Sequence, residues 1–200
     1  MIVKICGITT IQEAEYLNNV KIDLAGMVLF FEKSRRNITI DKAKEIIKAL
    51  DGKIKTVAVV VSPTIAQVLE IESAGFDYIQ IHGKMPEGIF EKTGIPVLKA
   101  FNVNDMELYD EYNNNSGIKG FVFDAAEPGS GKTFDWNSIK NIKRNEKMFI
   151  LAGGLNPDNV AEAIKAVKPD GVDVSSGVER KGGVGKDYEK IRKFVRNARG

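Results

Sequence analysis

Two side chains that can transfer protons follow directly after short apolar runs of the sequence. Cys6 ends the run IVKIC, and Asp124 ends the run GFVFD. A thiol has a reference pKa of ~8.5, so Cys6 could serve as a base where its surroundings favour the thiolate. Apolar neighbours of Asp124 favour the neutral carboxyl, which could serve as an acid. Together they could move a proton between neighbouring atoms of one substrate. The alternatives are a cysteine that only packs and an aspartate that caps a loop.

Three further segments carry groups that bind anions. The segment EKSRRN contains Arg36, and a guanidinium group can hold a carboxylate through two parallel hydrogen bonds. We expect its neighbour Arg35 to be solvated. The segments LAGGLNP and VDVSSGVERKGG contain glycines whose N–H groups can hold a phosphate, unless these glycines only form tight turns. The phosphate-site residues that we predict are Gly153, Gly154, Ser175, Ser176 and Gly177.

The segment GSGKT, residues 129–133, has the spelling of the end of a nucleotide-binding P-loop. A P-loop has its first glycine at the position that Ala126 occupies here. Its helix also begins inside the motif, whereas KTFDWNSI is rich in poor helix formers. We therefore predict a mobile glycine-rich loop after Asp124 instead of an ATP site. The remaining hypothesis for Lys132 is an approach to an anionic substrate when this loop closes.

Eight short, β-rich apolar runs recur along the chain and position these groups. They are IVKIC, AGMVLFF, KTVAVVV, YIQIH, PVLKAF, GFVFD, MFILAG and GVDVS. Amphipathic segments with helical spacing lie between them, which predicts a parallel sheet covered by helices. Eight repeats in 200 residues favour a closed (β/α)8 TIM barrel of the α/β class, because an open doubly wound sheet of this length more often has about five or six strands. Barrel chemistry occurs at the C-terminal ends of the strands, where all the residues named above lie.

Local signals predict how the strands are connected. Ser62 before Pro63 and Asn156 before Pro157 are typical of helix N-caps. The fourth helix, near MPEGIFEKTG, is predicted to be short, and the polar stretch EYNNNSG is predicted to be a loop.

The composition of the chain limits the number of domains, the partners and the kinds of site that we expect. The 200 residues are 43% apolar, which suits one domain spanning residues 1–200. The 29 Lys and Arg residues and 27 Asp and Glu residues leave a formal charge of +2, so we expect neither nucleic acid nor membrane as a partner. One cysteine and one histidine argue against a disulfide and against a Cys/His metal site.

Targeting and membrane signals are not evident in the sequence. The start MIVKICGITT lacks the pattern of a targeting segment, and no apolar run approaches the ~20 residues of a membrane span. We therefore expect a cytoplasmic protein that binds a phosphorylated small molecule without a cofactor or metal. Whether it is a monomer or a homodimer is left open.

Six segments together resemble the phosphoribosylanthranilate isomerase family of tryptophan biosynthesis, which carries out an Amadori rearrangement. They are KICGIT (4–9), SRR (34–36), QIHG (80–83), FD (123–124) with GSGKTFDW (129–136), LAGGLNPDNV (151–160) and DVSSGVE (173–179). Each segment alone is weakly specific, whereas six in one order at the spacing of barrel units are highly specific.

The resemblance implies a substrate and a task for each group. The substrate is N-(5-phosphoribosyl)anthranilate, and the product is 1-(2-carboxyphenylamino)-1-deoxyribulose 5-phosphate. The family's general base matches Cys6, which takes the proton from ribose C2, and its general acid matches Asp124, which protonates the ring oxygen. Arg36 matches the arginine that holds the anthranilate carboxylate, and the two glycine-bearing segments match the phosphate loops. No catalytic role follows for His82, for which we predict a place in the core or a supporting role.

Two departures from the family pattern concern loops. Pro128 stands where a glycine is common, and Asn37 stands where an aromatic residue often follows the arginine.

Three other functions are alternatives to this one. The histidine-pathway isomerase of a similar barrel favours an aspartate at the position of Cys6. A nucleotide-binding module would have to rest on GSGKT, and a non-catalytic scaffold would leave the thiol, the carboxyl and the arginine unexplained.

Overall fold

Eight parallel strands form a closed barrel in the computed structural model, which describes residues 1–102, 106–124, 136, 139, 142–182 and 185–200. The strands are β1 (Ile2–Cys6), β2 (Leu24–Leu29), β3 (Lys55–Val61), β4 (Tyr78–His82), β5 (Val97–Asn102), β6 (Ile118–Asp124), β7 (Met148–Leu151) and β8 (Gly171–Val174). Each strand pairs with the next, and β8 pairs with β1 to close the ring. The predicted TIM barrel is confirmed. A two-residue strand, Asn37–Ile38, extends the sheet outside β2.

Helices follow the strands and cover the outside of the barrel. Among the described residues they are, in chain order, α1 (Ile11–Val20), α2 (Ile40–Ala49), α3 (Ile65–Ser73), α4 (Ile89–Lys92), α5 (Tyr109–Asn114), α6 (Val160–Val167) and α7 (Tyr188–Arg199). One turn of 3₁₀ helix, Ser176–Val178, follows β8. The predicted short fourth helix is confirmed, since α4 has only four residues.

The predicted helix cap at Ser62 is wrong. Helix α3 begins after Thr64, whose hydroxyl accepts the N–H of Gln67 while the Gln67 side chain accepts the N–H of Thr64. Ser62 instead has a φ of 45°, and its hydroxyl accepts the N–H of Lys84 at 3.0 Å. The reciprocal cap satisfies two of the donors that a helix start leaves open, which is why the helix begins later than Pro63 suggests.

The prediction of a loop over EYNNNSG is also wrong in part, because its first four residues belong to α5. Tyr109 at the start of α5 is buried, and its ring lies 5.0 Å from that of Phe121 and 5.9 Å from that of Phe101. Its hydroxyl donates to the carbonyl of Lys143 at 2.9 Å. These tertiary contacts stabilise a short helix whose own residues have weak helix propensity.

Successive side chains of each strand point to opposite faces of the barrel wall, which divides the core into two parts. On β6, Phe121 and Phe123 pack outward against the helices, whereas Val122 faces the interior of the barrel with Val57, Leu98 and Ile150. Asp124 has the same parity as Val122, so it faces the barrel axis at the end of the strand. The same argument turns Cys6 inward, because Ile5 packs outward.

Candidate active site

The C-terminal ends of the strands surround a cavity of about 440 Å³, a volume typical of small-molecule sites. All eight strands or the loops after them contribute to its lining. The predicted site residues on the wall are Cys6, Arg36, Asp124, Gly153, Gly154, Ser175 and Ser176. Gly177 is not part of the lining and lies against the loop after β7. Folding thus brings together seven of the eight predicted residues, although they are spread over 171 positions of the chain, from 6 to 176.

The Cys6 thiol occupies space that Gly26 leaves free on the neighbouring strand. A Cβ at position 26 would lie 2.9 Å from Cys6 Sγ and 3.1 Å from Lys4 Nζ, so the thiol and the ammonium group meet at the same point. Cys6 is 9% exposed, and burial raises the pKa of its thiol above the ordinary value. The positive charge of Lys4 acts in the opposite direction and favours the thiolate.

Lys4 forms a buried ion pair with Asp173 directly below the cavity. Lys4 Nζ donates to Asp173 Oδ2 at 2.7 Å, and the Lys4 side chain is fully buried. Burial is the largest single effect and lowers the pKa of Lys4, but the charges of Asp173 and Cys6 and their hydrogen bonds together outweigh it, so the pKa lies above the ordinary value. Asp173 Oδ1 is buried without a hydrogen-bond partner among the described residues, and Asp173 lines the cavity. Lys4 therefore satisfies only one of the two carboxylate oxygens of Asp173.

Arg36 lies across Gly7, immediately after Cys6. A Cβ at Gly7 would overlap Arg36 Cδ, so only a glycine permits this path of the side chain. Arg36 Nε donates to Glu179 Oε1 at 2.6 Å, whereas Arg36 Nη2 is buried without a hydrogen-bond partner among the described residues. Arg35, which we expected to be solvated, is 55% exposed but also donates to Glu179.

Glu179 and Lys186 are site-supporting residues that the sequence analysis did not select. Glu179 is 6% exposed and Lys186 is 1% exposed. Lys186 Nζ donates to Glu179 Oε1 at 3.3 Å and to the carbonyl and hydroxyl of Ser175 at 3.1 and 3.2 Å. Burial lowers the pKa of Lys186. Burial opposes the ionisation of Glu179, but the hydrogen bond from Arg36 and the charge of Lys186 hold its pKa below the ordinary value.

The only sequence signal for this pair was its position. Glu179 ends the segment DVSSGVE two positions after Gly177, the last predicted phosphate residue, and the basic residue Lys186 follows at a distance of seven positions. Charged residues in such a loop are usually solvated, so their burial could be recognised only in the folded chain.

Glu13 connects the loop after β1 to the loop after β8. Its Oε2 accepts the N–H groups of Thr9 and Thr10 at 2.6 and 3.1 Å, and its Oε1 accepts the N–H of Lys186 at 2.6 Å. The carboxylate is 3% exposed, so these bonds satisfy a charge that burial would otherwise make costly.

Two glycine-bearing turns form one side of the cavity. Gly153 and Gly154 have φ values of 81° and 64°, a left-handed conformation that glycine adopts without strain. Asn159 Nδ2 donates to the Gly154 carbonyl at 3.0 Å and so holds this turn. A Cβ at Gly177 would lie 2.9 Å from Asn156 Cα, which shows that the 3₁₀ turn after β8 packs directly on the turn after β7. N–H groups of both turns can therefore face one anion.

Asn156 takes part in this turn as a cap, although not at the predicted start of a helix. Its Oδ1 accepts the N–H groups of Asp158 and Asn159 at 2.8 and 3.2 Å, and α6 begins only at Val160. The cap thus stabilises the turn that leads into α6.

His82 forms part of the cavity wall and not of the closed core. Its Nε2 lies 2.9 Å from Gln80 Nε2. Burial, together with the charges of Lys4 and Lys99, lowers the pKa of His82 to about 3. The ring is therefore neutral near pH 7, which agrees with a supporting role.

Other predictions fall partly or wholly on residues that the structure does not describe. GSGKT, with Lys132, and Pro128 lie outside the described residues. Within the described ranges, no group of three or more His, Cys, Asp or Glu side chains is arranged to hold a metal ion. The same part of the chain contains no helix that is both long and apolar enough to cross a bilayer.

Comparison with known proteins matches this chain to an enzyme family. The sequence model described as N-(5'-phosphoribosyl)anthranilate (PRA) isomerase matches residues 3–197. The chain belongs to the phosphoribosylanthranilate isomerase family. It is thereby an isomerase of tryptophan biosynthesis, of the kind that interconverts an aldose and a ketose.

Relatives that carry the family name, including solved structures, cover this chain almost completely. N-(5'-phosphoribosyl)anthranilate isomerase of Listeria welshimeri is 40% identical over 204 residues, covering 100% of this chain and 99% of the relative. That of Aquifex aeolicus is 40% identical over 201 residues, covering 98% of each chain. The crystal structure of phosphoribosyl anthranilate isomerase from Thermotoga maritima is 36% identical over the whole of both chains, with a TM-score of 0.87.

Two further solved structures of phosphoribosylanthranilate isomerases bear on ligands and assembly. One, with a TM-score of 0.82 and 36% identity over 100% of both chains, is a complex with reduced 1-(o-carboxyphenylamino)-1-deoxyribulose 5-phosphate. The other, with a TM-score of 0.84, 36% identity and the same full coverage, contains monomers derived from the dimeric Thermotoga maritima enzyme.

Proposed function

We propose that the cavity converts N-(5-phosphoribosyl)anthranilate into 1-(2-carboxyphenylamino)-1-deoxyribulose 5-phosphate with Cys6 as general base and Asp124 as general acid. Asp124 gives its proton to the furanose ring oxygen as the bond from that oxygen to C1 breaks. Ring opening leaves a C1=N double bond that is protonated on nitrogen. The Cys6 thiolate removes the proton from C2, and the electron pair of that C–H bond forms the C1=C2 bond of an enolamine while the C1=N electron pair returns to nitrogen. Protonation of C1 and loss of the C2 hydroxyl proton then give the ketone of the product. The chain acts as one catalytic domain without a cofactor.

One observation carries this proposal. Cys6 and Asp124 line the same cavity from β1 and β6, which lie three strands apart in the ring, so they approach a central ligand from different sides. Opening the ring at C1 and removing the proton from C2 require an acid at the ring oxygen and a base at C2, which such a placement allows. The ammonium group of Lys4 beside the thiol supports the ionised form that a base needs.

The anionic ends of the substrate fit the cationic and glycine-bearing parts of the wall. Arg36 Nη2 is the group that we assign to the anthranilate carboxylate, because it is buried and has no partner among the described residues. The turns at Gly153, Gly154 and Ser175 to Gly177 are assigned to the phosphate. The complex of a relative with a reduced phosphorylated product analogue supports a ligand of this kind.

Loss of substrate fluorescence during turnover tests the proposal. We expect Cys6→Ala and Asp124→Ala each to lower kcat by about 10²- to 10⁴-fold, the range of general acid or base catalysis. Arg36→Met should mainly raise KM, since the carboxylate is bound alike in the ground and transition states. A Cys6→Ala enzyme with wild-type kcat would rule out the mechanism.

The pH dependence provides an independent test. Because burial raises the pKa of the Cys6 thiol, the activity of the wild type should rise with pH as the thiol ionises. Cys6 is the only cysteine of the chain, so a thiol reagent reports on this group alone. The rate of thiol modification and kcat/KM should rise with pH together. A kcat/KM that is flat across the ionisation of the thiol would contradict the role of Cys6 as base.

A further inference from the structure

The Arg36 guanidinium is hydrogen-bonded at Nε and has no hydrogen-bond partner among the described residues at Nη2. Its Nε donates to Glu179 Oε1 at 2.6 Å, and its side chain is 14% exposed. Its Nη2 is buried and has no hydrogen-bond partner among the described residues. A buried guanidinium nitrogen without an acceptor is costly, so this arrangement is expected where a ligand supplies the acceptor.

Glu179 orients this guanidinium without being paired with it alone. Lys186 Nζ donates to the same Oε1, and Arg35 donates to Oε2. Three basic side chains therefore share one carboxylate. An arginine paired alone with a glutamate would attract a second carboxylate much less.

Glu179 is itself anchored to the turn that we assign to the phosphate. Its N–H donates to the carbonyl of Ser176 at 3.1 Å, and its own carbonyl accepts from Lys190 Nζ at 2.6 Å. It follows the 3₁₀ turn Ser176–Val178 directly in the chain. One short segment thus carries the groups for the phosphate and the residue that holds Arg36.

From these contacts we infer that Glu179 is a positioning residue. It holds the Arg36 guanidinium so that Nη2 can bind the substrate carboxylate. It also sets the distance between this guanidinium and the turn that we assign to the phosphate. This inference rests on the proposed function, in which Arg36 binds that carboxylate. The arginine then loses little rotamer freedom when the substrate binds, which favours affinity. Glu179 does not line the cavity, so we expect its effect on binding and not on the chemical step.

The test compares Glu179→Gln with wild type by steady-state kinetics. We expect KM to rise by about three- to ten-fold, because binding then has to immobilise the long Arg36 side chain. The kcat should stay within about two-fold of the wild-type value. Inhibition by inorganic phosphate should stay unchanged, because the phosphate turn itself is intact. Glu189→Gln removes a 68% exposed carboxylate from α7 and should behave as wild type.

A double-mutant cycle separates failure of the inference from failure of the proposed function. In the Arg36→Met background, Glu179→Gln should add less than about two-fold to KM, since its effect passes through Arg36. Additive effects would overturn the inference, as would an unchanged or lowered KM in Glu179→Gln, or a parallel loss of phosphate inhibition. An unchanged KM in Arg36→Met alone would instead refute the role of Arg36.

A second pair of variants keeps the test available if Glu179→Gln does not fold. Removal of the carboxylate leaves Lys186 buried without its counter-charge, which is destabilising. Glu179→Gln/Lys186→Met removes both charges and is compared with Lys186→Met. The same rise in KM is expected between these two variants, and equal KM values would overturn the inference.

Discussion

Replacement of Gly177 by alanine is expected to separate the two turns that form the phosphate side of the cavity. The added Cβ would lie 2.9 Å from Asn156 Cα and would overlap the carbonyl oxygen of Leu155. Carbon atoms in contact prefer about 3.5–4.0 Å, so the 3₁₀ turn has to move away from the loop after β7 by roughly 1 Å. The obstacle is backbone on both sides, so no side-chain rotation can relieve it.

The size of the effect follows from this displacement. A misplacement of about 1 Å can lower the rate by 10²-fold, so kcat/KM of Gly177→Ala should fall by about 100-fold. Overpacking costs about 1–3 kcal/mol, which lowers Tm by roughly 2–10 °C in a protein of this size. Inhibition by inorganic phosphate should weaken as well, because we assign the anion to both turns.

The assay is the decay of substrate fluorescence, with thermal unfolding measured on the same preparations. Gly52→Ala is the matched control, since a Cβ there meets no atom within 4 Å, and it should retain wild-type kcat/KM within about two-fold. A Gly177→Ala enzyme with wild-type kcat/KM and wild-type phosphate inhibition would refute the argument that contact between these turns shapes the site.

Three other variants probe the remaining parts of the site. Gly26→Ala places a Cβ 2.9 Å from Cys6 Sγ and should lower kcat by at least about ten-fold with little change in KM; unchanged kcat in steady-state assays would contradict this expectation. His82→Gln should leave the pH profile of kcat/KM between pH 5 and 9 unaltered, because the pKa of His82 is about 3; loss of an inflection would assign the ring a protonation role. The unfolded chain protonates this histidine near pH 6.5 and the folded chain only near 3, so wild-type stability should fall as pH drops through that window and the variant should lose less. Glu13→Gln should reduce the free energy of unfolding, measured in urea, by about 1.5–3 kcal/mol, since the carboxylate accepts three backbone N–H groups. The exposed control Glu15→Gln should change this free energy by less than about 0.5 kcal/mol.

The barrel could be predicted from sequence because its elements are local patterns. Short apolar runs formed strands, and segments of period 3.6 formed helices, so their order alone indicated a ring of parallel strands. The position of Cys6 and Asp124 at the ends of two such runs placed them at the C-terminal ends of β1 and β6. Local prediction was wrong at Ser62 and over EYNNNSG, where a reciprocal cap and the burial of Tyr109 outweigh propensity.

The sequence by itself determined the closed barrel, the thiol and carboxyl at its mouth, and the family of enzymes to which these segments belong. Tertiary structure decided which charged residues support them. Glu179 meets Arg36 across 143 positions of the chain, and Lys4 meets Asp173 across 169. Such pairs carry no local periodicity, and each is stable in the interior only because its partner arrives from a distant strand or loop. The packing of Gly177 on the loop after β7 is likewise a relation between two backbones, which no pattern within one segment can encode.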